Sequence, residues 1–201
     1  MIKQNSSARG LQSKMGNVLA AIPLTPNHWT ILSVLIALCG GIIIALTGNF
    51  IAGIILFALS AVFDAVDGAV ARARKQTSKY GGFLDGIADR FVEAIFLFSF
   101  MFVTLPDFLF PAKIWLAGVI FLGTCMPSFI RAYADHKEVL TTKEALALGG
   151  ICERGERLVI LIIGLVAGIS LSMEYFVYSL ALVCIFSLVT IIQRMLAVKL
   201  K

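Results

Sequence analysis

Apolar residues run through this chain in long blocks, not in the two-residue alternation of half-buried strands. Six blocks are legible, roughly at 30–47, 51–72, 84–104, 113–134, 156–172 and 175–197. Each approaches the about 20 residues that a helix needs to cross a bilayer. Each is expected to be helical, because hydrocarbon offers no partner to an open backbone N–H or C=O. "GNF" joins the first two blocks, which predicts a tight antiparallel pair. "TPNHWT" precedes the first: Thr25 suits a helix cap, Pro26 the first turn and Trp29 a membrane interface. "ARKQTSKYGG" makes a basic, polar turn between blocks two and three. The link "YADHKEVLTTKEALALGGICE" between blocks four and five leaves room for a short helix.

Ahead of the first block, residues 7–22 place Leu11, Met15, Val18, Leu19 and Ile22 on one helical face, with Arg9 and Lys14 on the polar part. That pattern predicts an interfacial amphipathic helix, although packing against the bundle would produce the same stripe. The expected fold is therefore one all-α integral membrane domain over residues 1–201. It consists of a six-helix bundle at 25–197, six transmembrane helices in all, preceded by the interfacial helix at 7–22.

Composition narrows the class further. With 59% apolar and 14% charged residues, the chain is no ordinary soluble domain. Cys39, Cys125, Cys152 and Cys184 are scattered, with no zinc-like spacing and no disulfide framework. "MIKQNSSARG" has no apolar core of the signal-peptide kind. Six spans put both termini on one side; with that side cytoplasmic, only Lys113 among the 17 Lys and Arg falls outside. The net charge of +5 is thus a property of the inner face. It suits an anionic ligand or lipid surface, and six spans argue against nucleic acid as partner. A cell-membrane protein with multiple passes and a cytoplasmic active site is expected.

The second and third blocks carry "DAVDGAVARARKQTSKYGGFLDGIADRF", residues 64–91. Asp64, Asp67, Gly68, Ala71 and Arg72 share one helical stripe; Gly81, Asp85 and Asp89 share another. Across the intervening turn the two stripes are expected to face each other at similar depth. Pairing with Arg72 or Arg90 would account for one carboxylate, but not for four. Charges in this setting cost a few kcal/mol each and mark function by default. Four mutually repelling carboxylates call for a neutralising cation, and hard oxygen ligands favour Mg²⁺, Mn²⁺ or Ca²⁺. Such a cluster beside arginines suits a pyrophosphate substrate. No GxxxxGK[ST] phosphate loop occurs.

The motif reads Asp-x2-Asp-Gly-x2-Ala-Arg-x8-Gly-x3-Asp-x3-Asp on Asp64, Asp67, Gly68, Ala71, Arg72, Gly81, Asp85 and Asp89. It resembles the signature of the CDP-alcohol phosphotransferases. The resemblance implies transfer of a phosphatidyl or archaetidyl group from a CDP-lipid to an acceptor hydroxyl, with release of CMP. By it, Asp64, Asp67, Asp85 and Asp89 would hold Mg²⁺ or Mn²⁺, as two ions in the family pattern, and Asp89 would also serve as general base. Gly68, Ala71, Arg72, Ser78 and Gly81 would contact the CDP-lipid, as would Asn27, His28, Trp29 and Thr30. Judged alone, His28 and His136 read as interface residues. A homodimer is implied as well.

A second group is basic: Arg131, Arg154, Arg157 and Arg194, in "SFIRAYAD", "ICERGERLVIL" and "IIQRM". Anchoring to lipid head groups is one reading; bidentate capture of phosphate is the other. These segments resemble the phosphatidylinositol-phosphate and archaetidylinositol-phosphate synthase branch. That implies inositol 1-phosphate as acceptor, with CDP-diacylglycerol or CDP-archaeol as donor. Glycerol 3-phosphate would use the same pocket. A membrane prenyltransferase lacks the Gly-x2-Ala-Arg element, and a cation transporter would spread its acids through the bilayer. Glu93 continues the Asp85–Asp89 stripe, as a buttress or a structural hydrogen bond. Tyr133, Asp135 and Lys137 are candidates for the border of the acceptor pocket.

Overall fold

The computed structural model describes residues 22–200. The interfacial helix expected at 7–22 therefore lies, but for Ile22, outside the described residues. The described chain is helical: α1 is Pro26–Thr47, α2 Phe50–Ala73 and α3 Lys79–Ser99. A 3-10 turn, Phe100–Phe102, follows. Then come α4 at Ala112–His136, α5 at Thr142–Ala147, α6 at Arg154–Ser170 and α7 at Glu174–Lys199. Helices α1, α2, α4 and α7 are long and apolar enough to cross a membrane. Their outer faces carry exposed apolar side chains, such as Leu35, Leu38 and Ile42 on α1 and Ile51, Ile55 and Leu59 on α2. Contiguous patches of that size need a partner other than water, and lipid supplies one.

The chain divides into two compact units, Met1–Ser99 and Phe100–Lys201. In the first, α1 packs along both α2 and α3, whereas α2 and α3 touch each other only slightly. Adjacent glycines make this possible. A Cβ on Gly40 would lie 3.1 Å from the Gly53 carbonyl oxygen of α2, and one on Gly41 only 2.9 Å from Ile95 Cγ2 of α3. Gly40 thus faces one neighbour and Gly41 the other. The α1–α2 turn closes at Gly48, whose φ of +65° favours glycine. Thr25 occupies the N-cap of α1 and Pro26 its first turn, as the sequence predicts. Trp29 differs from expectation. It is buried against Phe63, Val66 and Val70, a packing position and not an interface ring.

In the second unit α7 is the central element, with Phe176, Val177, Leu180, Val183 and Arg194 among its buried residues. Helix α4 widens to a π-helix over Val119–Cys125, a feature with no signature in the apolar pattern. There Gly123 meets Arg157: a Cβ on it would sit 2.9 Å from Arg157 Cδ. The short helix expected in the long link is α5, closed by a capping box between Thr141 and Glu144.

Candidate active site

Asp64 and Asp67 project from the last turns of α2, and Asp85 from the second turn of α3. Each offers a carboxylate oxygen, and the three oxygens lie within 4.8 Å of one another. Three hard oxygen donors at that spacing fit a divalent cation. Asp89 stands one helical turn beyond Asp85 and is not among the three. Its Oδ2 lies 3.5 Å from Arg90 Nη1. The sequence grouped four aspartates; the structure gathers three and sets the fourth beside them.

Asp67 is the most enclosed of them, 6% exposed. Thr30 of α1 donates its hydroxyl hydrogen bond to Asp67 Oδ2. That bond aims the carboxylate and satisfies one of its lone pairs. Thr30→Val keeps the shape and removes the donor. Mn²⁺ affinity, measured by EPR titration, is expected to fall by about tenfold or more, as for other lost supports of metal ligands. Unchanged affinity would leave Thr30 a packing role only.

Asp67 and Asp85 border an open cleft of about 190 Å³ whose other walls include Asn27, Thr30, Gly68, Ala71, Ser78 and Gly81. Ser78 caps α3: its Oγ accepts the Gly81 N–H at 2.9 Å. The amino end of a 21-residue helix therefore opens on the cleft, where an anion is favoured. A Cβ on Gly81 would stand 3.1 Å from Ser78 Oγ and 3.6 Å from Asn27 Oδ1, so glycine keeps that wall low. Arg72 is exposed, with its guanidinium over Gly68.

Two of the residues predicted for the nucleotide stand elsewhere. Trp29 is in the packing cluster already described, and His28 accepts from the Thr25 N–H at 3.2 Å through Nδ1. Neither borders the cleft, and nor does Arg72. Sequence reasoning missed Gln76 and Thr77, which do. They sit inside the turn already recognised as polar, but no periodicity orders the side chains of a turn. It also missed Arg74, which donates to the carbonyls of Leu24 at 2.7 Å and Ile22 at 2.5 Å and so ties the end of α2 to the approach of α1. Glu93 is buried.

In the second unit, Arg131, Arg157 and Arg194 come from α4, α6 and α7. Arg131 donates through Nε to the Leu148 carbonyl at 3.0 Å and through Nη2 to Glu153 at 3.1 Å. Arg194 is 3% exposed; it donates to the carbonyls of Pro127 at 2.5 Å and Gly149 at 3.4 Å. Arg157 is buried and close enough to act on the charge of Arg194. Arg154 opens α6. Lys137 Nζ lies 5.5 Å over the Tyr133 ring, and Asp135 accepts from the Thr142 hydroxyl.

Residues 23–198 match the family model described as CDP-alcohol phosphatidyltransferase. Over 186 residues the chain is 38% identical to the archaetidylinositol phosphate synthase of Pyrococcus horikoshii, covering 92% of this chain and 89% of that protein. Over 178 residues it is 32% identical to the archaetidylinositol phosphate synthase of Methanothermobacter thermautotrophicus, with 88% and 84% covered. In fold it resembles the crystal structure of the Mycobacterium tuberculosis phosphatidylinositol phosphate synthase with CDP-DAG bound. The TM-score is 0.79 at 23% identity, over 94% of each chain.

Proposed function

Because the chain belongs to the CDP-alcohol phosphatidyltransferase family, a family of multi-pass membrane enzymes that use divalent metal, we propose that it makes an inositol phospholipid. It transfers the phosphatidyl or archaetidyl group of a CDP-lipid to a hydroxyl of inositol 1-phosphate and releases CMP. The observation that carries this reading is the gathering of Asp64, Asp67 and Asp85 beside an open cleft at the amino end of α3. The names of the two archaeal relatives support the acceptor.

Asp64, Asp67 and Asp85, with a share from Asp89, would hold Mg²⁺ or Mn²⁺, as two ions, which would supply positive charge to offset the donor pyrophosphate and the leaving CMP. The chain's own groups do the rest. Asn27, Thr30, Gly68, Ala71, Ser78 and Gly81 receive the cytidine end, and Arg72 meets the pyrophosphate. Asp89 takes the proton from the acceptor hydroxyl. The hydroxyl oxygen forms a bond to the lipid-bearing phosphorus as the bond from that phosphorus to the CMP oxygen breaks. Arg131, Arg154, Arg157 and Arg194 hold the acceptor's phosphate. The enzyme works as one catalytic domain with six spans, as a homodimer, and with its active site and termini on the cytoplasmic side.

The test is CMP release by purified protein with Mg²⁺ or Mn²⁺. CDP-archaeol and CDP-diacylglycerol serve as donors; inositol 1-phosphate, glycerol 3-phosphate, inositol and serine serve as acceptors. Turnover is expected with inositol 1-phosphate. Turnover with glycerol 3-phosphate in its place would keep the reaction and change the acceptor, and no CMP from any pair would refute the proposal. Arg131→Gln is expected to raise the acceptor KM about tenfold while the CDP-lipid KM moves less than about twofold, the split produced by losing one charged phosphate contact. Equal changes in both would favour head-group anchoring.

A further inference from the structure

Glu153 has no part in the reaction described above. It occupies the N-cap of α6, yet its side chain makes no capping bond. The carboxylate turns to the arginines: Oε1 lies 3.1 Å from Arg131 Nη2 and 3.6 Å from Arg194 Nη2. Two guanidiniums therefore share one carboxylate, and Arg157 is close enough to act on Arg194.

The surroundings are asymmetric. The Arg194 side chain is 3% exposed, whereas that of Glu153 is 43% exposed. Arg131 and Arg194 are also held by backbone carbonyls that do not depend on Glu153, those of Leu148, Gly149 and Pro127. The backbone leading to Glu153 is pinned separately. Ile151 N–H donates to Gln193 Oε1 at 3.1 Å and Cys152 N–H to Thr190 Oγ1 at 3.0 Å. Rotation of one half-exposed side chain can thus empty the anion position and leave the pocket standing.

We propose that Glu153 is a resident anion of this pocket, which the acceptor's phosphate monoester must displace, so that Glu153 sets acceptor specificity by charge. The inference rests on the reading of the arginines as the acceptor-phosphate pocket. A phosphate dianion presents more acceptor oxygens and more charge to forked guanidiniums than a carboxylate does. It can displace Glu153; an uncharged polyol cannot. An occupied pocket lowers apparent affinity by the fraction of molecules that stand open.

The experiment compares wild type, Glu153→Gln and Arg131→Gln in neutral detergent. It measures acceptor KM, CDP-lipid KM and inhibition by inorganic phosphate. Glu153→Gln is expected to lower the acceptor KM by about three- to tenfold, the scale of two partly exposed ion pairs, and the phosphate Ki in parallel. The CDP-lipid KM reports on the integrity of the fold. An acceptor KM that rises or stays unchanged in Glu153→Gln, while Arg131→Gln raises it, overturns the inference and spares the pocket. An acceptor KM indifferent to Arg131→Gln overturns the pocket itself. If Glu153→Gln does not fold, Glu153→Asp, with its shorter reach, is expected to shift KM in the same direction, and a raised KM overturns the inference. A shift seen only when anionic lipid is added would make a lipid head group the rival of Glu153, and that too overturns it.

Discussion

Asp67→Asn is expected to abolish CMP release, with kcat/KM falling by at least about a thousandfold, the scale of losing a metal clamp on a phosphoryl centre. The substitution keeps the volume and the Thr30 contact. It removes one of three charges whose oxygens lie within 4.8 Å of one another. Asp67 is also the most buried of the three, so water is poorly placed to substitute for it. Mn²⁺ titration by EPR should show the metal lost in parallel with turnover. CMP release within tenfold of wild type would end the metal reading of this cluster.

Asp89→Asn is expected to separate two properties that Asp67→Asn removes together. Asp89 lies four residues, about 6 Å of helix rise, beyond Asp85. It stands outside the trio of carboxylates. A general base in that position contributes about 10²- to 10⁴-fold to kcat. Turnover should fall by that factor while Mn²⁺ affinity and CDP-lipid binding stay within a few-fold of wild type. If metal affinity falls as far as in Asp67→Asn, Asp89 is a full ligand like the other three, not a minor one, and the base is another group. If turnover is normal, no proton passes through Asp89.

Much of the helical frame was legible because lipid imposes the simplest of patterns. The block at 51–72 became Phe50–Ala73, and the one at 175–197 became Glu174–Lys199. The block at 84–104 was displaced. Its helix begins at Lys79, where the Ser78 cap outweighs hydropathy, and gives way to a 3-10 turn at Phe100. Spacing put Asp64 and Asp67 on one face of α2, and the antiparallel turn set Asp85 of α3 at a similar depth. It placed Trp29 wrongly, because an amphipathic ring at a helix start reads alike whether it meets lipid or Phe63. The π-helix at Val119–Cys125 left no trace, as its shift of one residue per turn keeps nearly every side chain apolar. Glu153 was invisible for another reason: an acid in "ERGER" reads as a helix-start residue until its neighbours are known in space.

The paired glycines of α1 have a consequence for coordination chemistry. Gly40 lies ten residues, about 15 Å of helix rise, from Thr30. It and Gly41 nonetheless fix how closely α2 and α3 hang from α1. Because those two helices scarcely touch each other, α1 acts as the common ruler between the carboxylates of one and the carboxylate of the other. The bite of the chelate, and with it the size of cation that it prefers, is therefore set partly from the apolar depth of the bundle by two positions that carry no side chain.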